Sequence, residues 1–247
     1  MAEISYDPFI YMKKRRMTVL FACIINLFAG ANYAWSVFAQ SLAEHLSMIS
    51  GQEITSGTLA FAFSLACIFS PTSMILSGRI ADKYGPRYVL LCAGLSLAIG
   101  FIGAALSTTP LAVIIFYGVF VGCGMGSAYN ACMANVLKFF PDKGGLVGGI
   151  VATCFGACAV LVPLIAVSLL TFFNITITMI IIGVVFGAII MTAGLLTTRC
   201  PPDFKPVGWS PKKSDVVPHD YNTTEMVHTK VFYAMFGLGY CPNSNAF

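Results

Sequence analysis

The side chains able to do chemistry in this sequence are polar residues set inside apolar runs, and the chemistry they offer is hydrogen bonding. Asn26, Asn32, Tyr33 and Ser36 interrupt one run, with Trp35 among them, and Tyr129 and Asn130 interrupt another. A tyrosine hydroxyl is a donor suited to a carboxylate, and Asn32 and Ser36, four apart, are expected on one helical face. Where such runs cross a bilayer, a buried polar group needs a partner or water. Each pair is therefore either a substrate contact or glue between helices, with Trp35 an interfacial anchor on the second reading. A different constellation stands in Gly78-Arg79-Ile80-Ala81-Asp82-Lys83-Tyr84-Gly85-Pro86-Arg87, where Asp82 is the lone acid among Arg79, Lys83 and Arg87. Asp82 is expected to pair with Arg79 or Arg87, or to face the positive end of another helix. Gly85-Pro86 predicts a tight turn, and Gly78 a close approach by a neighbouring helix. The plainer reading is a short basic loop, which accounts for the bases but not for the order of Gly, Asp and Gly-Pro. Asp142, beside Lys143, is expected either to pair with a base of this loop or to stay solvated.

Catalytic patterns are missing. His45, His219 and His228 are scattered, and no nucleophile–base pair, phosphate loop or paired carboxylates stand out. Cys154 and Cys158 share a helix face, but a metal would need two more ligands and no His lies in any apolar run. Their expected role is core packing. The reading is of a protein with no metal, no cofactor and no covalent chemistry.

The elements that must position these residues follow from composition. Of 247 residues, 57% are apolar and 10% charged, against about 45–50% and about 25% in soluble domains. That excludes a soluble enzyme or a nucleic-acid binder. Six stretches, at about 17–40, 57–78, 88–107, 111–136, 144–171 and 175–198, reach the roughly 20 residues a helix needs to cross a bilayer. The first is too long for a signal-peptide core. A further run begins at Val231 and turns polar before Phe247, which predicts the start of a seventh helix, cut short by truncation, frameshift or a partial gene model. All fourteen bases fall at one set of span ends: Lys13 to Arg16 before the first span, Arg79 to Arg87, Lys138 and Lys143, and five from Arg199 to Lys230. By the positive-inside rule both ends are cytoplasmic. The nine cysteines are an odd number, and seven lie in the apolar runs, so no disulfide framework is expected. The expected domains are a cytoplasmic segment 1–16, a six-helix domain 17–198, a proline-punctuated linker 199–230 and a truncated seventh helix with its tail at 231–247.

Spans four and five are glycine-rich. Gly118, Gly122, Gly124 and Gly126 predict close backbone packing, and Gly144, Gly145, Gly148, Gly149 and Gly156 predict a helix that packs tightly or slides. In folds built of inverted three-helix repeats, spans one and four are counterparts, which would place Asn32-Tyr33 and Tyr129-Asn130 at matching positions on one cavity.

The Gly78–Arg87 order resembles the signature loop of the major facilitator superfamily. Three further stretches sharpen the likeness: N-L-F-A-G-A-N-Y-A-W-S-V-F from Asn26 to Phe38, K-F-F-P-D-K-G-G-L-V-G-G-I from Lys138 to Ile150, and C-P-P-D-F-K-P-V-G-W from Cys200 to Trp209. Together they resemble the oxalate:formate antiporter family, with two departures: Phe139 stands where that family often has Trp, and Gly144 where it has Arg. The resemblance implies an all-α membrane protein, the N-terminal six-helix half of a major facilitator fold. It implies a secondary carrier of a small organic anion, working by alternating access in the plasma membrane. It also assigns Tyr33 and Tyr129 to the substrate cavity, with Asn32 and Asn130 beside them, and the 78–87 loop with Asp142 to gating.

No Lys, Arg, Asp or Glu falls within the six stretches. An anion leaving water needs a compensating charge, and the resemblance places that charge in a second six-helix half. The expected partners are thus a small organic anion, the lipid bilayer, and either the missing half or a second copy. The rival expectations are a fragment that inserts but does not transport, and a membrane scaffold or partner subunit acting through its linker.

Overall fold

The computed structural model describes residues 8–51, 53–201, 204, 206, 228, 229 and 233. In chain order the helices are α1 (Pro8–Ala29), a 3-10 turn (Ala31–Ala34), α2 (Trp35–Ser50), α3 (Ser56–Tyr84), α4 (Pro86–Ala105), α5 (Pro110–Ile115), a π-helical segment (Phe116–Val121), α6 (Gly122–Phe139), α7 (Gly144–Phe172) and α8 (Ile175–Leu196). No strand occurs among the described residues. Joined across their interruptions, these helices form six spans long and apolar enough to cross a membrane: Tyr11–Ser50, Ser56–Tyr84, Pro86–Ala105, Pro110–Phe139, Gly144–Phe172 and Ile175–Leu196.

Several spans run past the boundaries expected from hydropathy. The 29 residues of Ser56–Tyr84 rise about 43 Å, more than the roughly 30 Å of the hydrocarbon core, so their charged last turns stand in the interface. Span one extends the same way. Its N-terminal segment from Pro8 is already helical, since Lys and Arg are good helix formers once outside the apolar layer.

The chain divides into two compact units, Met1–Trp209 and Ser210–Phe247. The six spans and the candidate site belong to the first. Most of the expected linker, and the expected seventh helix apart from Tyr233, lie outside the described residues.

Inside the bundle, helices approach backbone to backbone. A Cβ on Gly122 would sit 2.7 Å from the Ala66 carbonyl oxygen of span two, and one on Gly126 would collide with that of Ser70. A Cβ on Gly124 would stand 2.8 Å from the Ala93 carbonyl oxygen of span three. Span four is thus wedged between spans two and three through the small residues expected to do this. Spans two and five are the least covered, 28% and 22% buried against 44–50% for the other four.

Candidate functional site

Span one does not run as one smooth helix through the polar cluster. At Gly30 the chain leaves the α conformation, and Ala31–Ala34 form a 3-10 turn. Gly30 is needed there because a Cβ would run into the Cys158 sulfur of span five, whose thiol lies 3.3 Å from the Gly30 carbonyl. A 3-10 turn has three residues per turn and eclipses i with i+3, so the expected Asn32–Ser36 face does not form. Tyr33 and Ser36 are exposed together, while Asn32 is buried at 4% exposure. The Asn32 side-chain oxygen has no hydrogen-bond partner, and neither does that of Asn26, whose amide closes on its own helix at the Ala22 carbonyl, 2.8 Å away.

The two tyrosines converge on a residue that sequence reasoning missed. Tyr33 meets the Phe155 ring edge-on at 5.8 Å between centroids, and Tyr129 meets the same ring at 4.9 Å. Phe155 therefore joins spans one, four and five, with Tyr33 48% exposed on the open side. Its signal was present: it is the one aromatic in the glycine-rich run from Gly144 to Thr171. Asn130 does not share this surface in the same way. Its amide donates to the Met74 carbonyl of span two at 2.9 Å, and Gly78 packs against that amide. Of the four candidate contacts, the tyrosines flank one aromatic ring, Asn130 ties two helices, and Asn32 points inward.

Span four is interrupted too. Phe116–Val121 form a π-helical segment, a geometry often found at functional sites. Tyr117 within it is fully buried, and its ring lies tilted against that of Trp35 at 4.3 Å between centroids. Trp35 is therefore an interior residue, 7% exposed, and not an interfacial anchor.

At the basic ends of the spans, the signature stretch is a helix–turn–helix. Gly85 takes φ +96°, and Pro86 opens α4 at its first turn. The Asp82 carboxylate makes its ion pair with Lys138 at 2.5 Å, in the last turn of α6, where the sequence predicts Arg79 or Arg87 of its own stretch as partner. Arg87 instead donates to the Thr197 carbonyl at 2.7 Å, and Arg199 to the Asp82 backbone carbonyl at 2.5 Å. Arg79 and Lys83 are exposed, and Lys83 lies 5.1 Å above the Tyr84 ring. Asp142 pairs with Arg15 at the start of span one, where the guanidinium also stacks 3.7 Å from the Phe140 ring. That pair is largely buried, whereas Lys138 and Asp82 are 56% and 67% exposed, so the second contributes about 0–1 kcal/mol to stability.

The segment after span six is stitched back onto this end. The Asn135 side chain donates to the Thr198 carbonyl at 2.9 Å and accepts from the Cys200 N–H at 3.2 Å. Phe204 packs edge-on against Phe139 at 5.5 Å and tilted on Tyr11 at 6.3 Å. Asp82, Asn135, Lys138, Arg199 and Phe204 surround a cavity of about 400 Å³. Burial pushes the neighbouring Cys200 thiol up to about 11, against the opposing field of Lys138. No group of three or more His, Cys, Asp or Glu that could hold a metal occurs among the described residues.

Comparison with known proteins supplies the family. MFS-type transporter YhjX of Escherichia coli (strain K12), uncharacterized in function, is 27% identical over 190 residues, covering 74% of this chain and 46% of the relative. The oxalate:formate antiporter of Oxalobacter formigenes is 25% identical over 221 residues, covering 89% of this chain and 49% of the relative. Apicoplast pyruvate carrier 1 of Toxoplasma gondii is 27% identical over 188 residues, covering 60% of this chain and 34% of the relative. The chain spans about half the length of the first two relatives. The Major Facilitator Superfamily model matches residues 19–245, and with its six apolar helices the chain is a multi-pass integral membrane protein that belongs to that superfamily.

Proposed function

We propose that the protein is a secondary active transporter of a small organic anion of the oxalate, formate or monocarboxylate class, working by alternating access, and that these six spans are its N-terminal half. The observation that carries this reading is the convergence of Tyr33 and Tyr129 on Phe155 at an exposed face of spans one, four and five. Two hydroxyl donors beside an aromatic ring suit a small carboxylate. The names of two relatives, an oxalate:formate antiporter and a pyruvate carrier, favour the same substrate class. The gathering of all bases at one set of span ends supports cytoplasmic termini, in a protein of the plasma membrane.

The anion's counter-charge comes from outside these spans. Each hydrogen bond to a carboxylate contributes about 1.5–3 kcal/mol net, while desolvating it costs several kcal/mol. Two such bonds leave the charge itself without a counter-ion, so a second six-helix half supplies a Lys or Arg; a second copy, whose apolar stretches hold none, would bring only its loop bases. Liposomes carrying the 247-residue chain alone are expected to show no saturable uptake of labelled oxalate, formate or lactate. Co-reconstitution with a complementary half restores it, and Tyr33→Phe or Tyr129→Phe then lowers uptake about tenfold, the effect of losing one hydrogen bond to a charged ligand. Saturable, competable uptake by the chain alone would overturn the need for a second half.

A further inference from the structure

Between spans two and three, with span four as its floor, runs a groove of about 380 Å³ that the tyrosine face does not touch. Its wall on span two runs from Ile80, beside the basic loop, to Phe69, and its wall on span three from Tyr88 to Ser96. The eleven residue steps from Phe69 to Ile80 rise about 16 Å. Half of a bilayer's hydrocarbon core is about 15 Å. The groove is one leaflet deep, which fits a single lipid chain and is too short for a helix crossing the whole membrane.

Its chemistry is that of hydrocarbon. No Asp, Glu, Lys, Arg or His lines it. Four of its six hydroxyls already donate to backbone: Thr72 to Ile68 at 3.0 Å, Ser73 to Ser70 at 2.8 Å, Ser77 to Met74 at 3.1 Å and Ser96 to Phe120 at 2.8 Å. The rim is open at Leu76, Ile80 and Tyr88, 57%, 46% and 62% exposed.

At the loop end the same helical face turns basic. Arg79 and Lys83 follow Thr72 and Leu76 by seven residues, two turns along one face, and both are exposed. Tyr88 stands at the same level, where an amphipathic ring favours the headgroup layer. The nearest acid, Asp82, is engaged by Lys138, so the mouth is cationic. We propose that this groove seats one acyl chain of an anionic phospholipid, with its phosphate against Lys83.

Native mass spectrometry of the purified chain in mild detergent, titrated with phosphatidylglycerol or phosphatidylcholine, tests this. One phosphatidylglycerol is expected to be retained at least about fivefold more tightly, the preference one surface base confers. Lys83→Gln lowers that preference about fivefold and leaves phosphatidylcholine unchanged. Cys92→Trp, which fills the groove, removes the retained lipid. A readout that needs no variant is alkylation of Cys92, which lines the groove and is exposed: phosphatidylglycerol slows its reaction with N-ethylmaleimide, read by peptide mass mapping. Equal retention of the two lipids, undiminished retention in folded Cys92→Trp, or Cys92 alkylation at one rate with and without phosphatidylglycerol would each overturn the proposal.

Discussion

Spans four and five both read as glycine-rich helices, yet their glycines sit in opposite surroundings. On span four, a Cβ at Gly118, Gly122 or Gly124 would come within 2.7–2.8 Å of an atom of span two or three. On span five, nothing stands within 4 Å of such a Cβ at Gly145, Gly149 or Gly156. Glycine spacing therefore announces that a helix can be approached closely, and says nothing of which neighbour does so. Span four's neighbours are within the bundle. Span five's open glycines leave a smooth face, which under the proposed function receives the second half or second copy.

The contrast can be broken most sharply with one substitution made twice. Gly126→Leu drives a side chain into the Ser70 backbone, and the expected result is loss of monodisperse, folded protein in detergent. Gly149→Leu, with open space around it, should leave the size-exclusion profile and melting temperature of the chain near those of the parent. Similar behaviour of the two variants would abolish the distinction.

A smaller effect tests how span five is tethered. Asp142 lies just before its first turn and is held by Arg15, so Arg15→Gln strands a largely buried carboxylate at a cost of about 1–3 kcal/mol. Adding Asp142→Asn should return part of that loss in a double-mutant cycle. Additive losses would mean that the pair does not couple the spans. The smallest effect is expected from Gly149→Ala, a stabilisation of no more than about 1 kcal/mol from helix propensity alone, read as a slight rise in melting temperature.

Legibility in the sequence depends on how locally each feature is encoded. The six spans are legible because an apolar run of sufficient length is a property of consecutive residues, and so is Gly85-Pro86 as a turn. The partner of Asp82 is not: Lys138 is 56 residues away, and charge alone cannot choose it over nearer bases. The face on which Asn32 lies departs from the helical expectation because one glycine, Gly30, switches the helix to a 3-10 turn and shifts the phase of the residues after it. Phe155 escapes notice since a lone aromatic among glycines reads as packing until two tyrosines are seen against it. The π-helical segment at Phe116–Val121 has no comparable mark in its residues.

The stitch between Asn135 and the segment after span six has a consequence for biogenesis. Both polar ends of that side chain are satisfied by backbone 63 and 65 residues further on. At about 5–20 residues per second, synthesis separates Asn135 from Cys200 by about 3–13 s. During that interval the amide leaves the ribosome and enters the bilayer edge without its eventual partners. Spans one to four can pair as they emerge, but the end carrying Asn135, Phe139 and Tyr11 closes only when Phe204 has been made. A nascent chain stalled before Arg199 would therefore hold an unlatched bundle, open to chaperones and to quality-control proteases at the membrane surface.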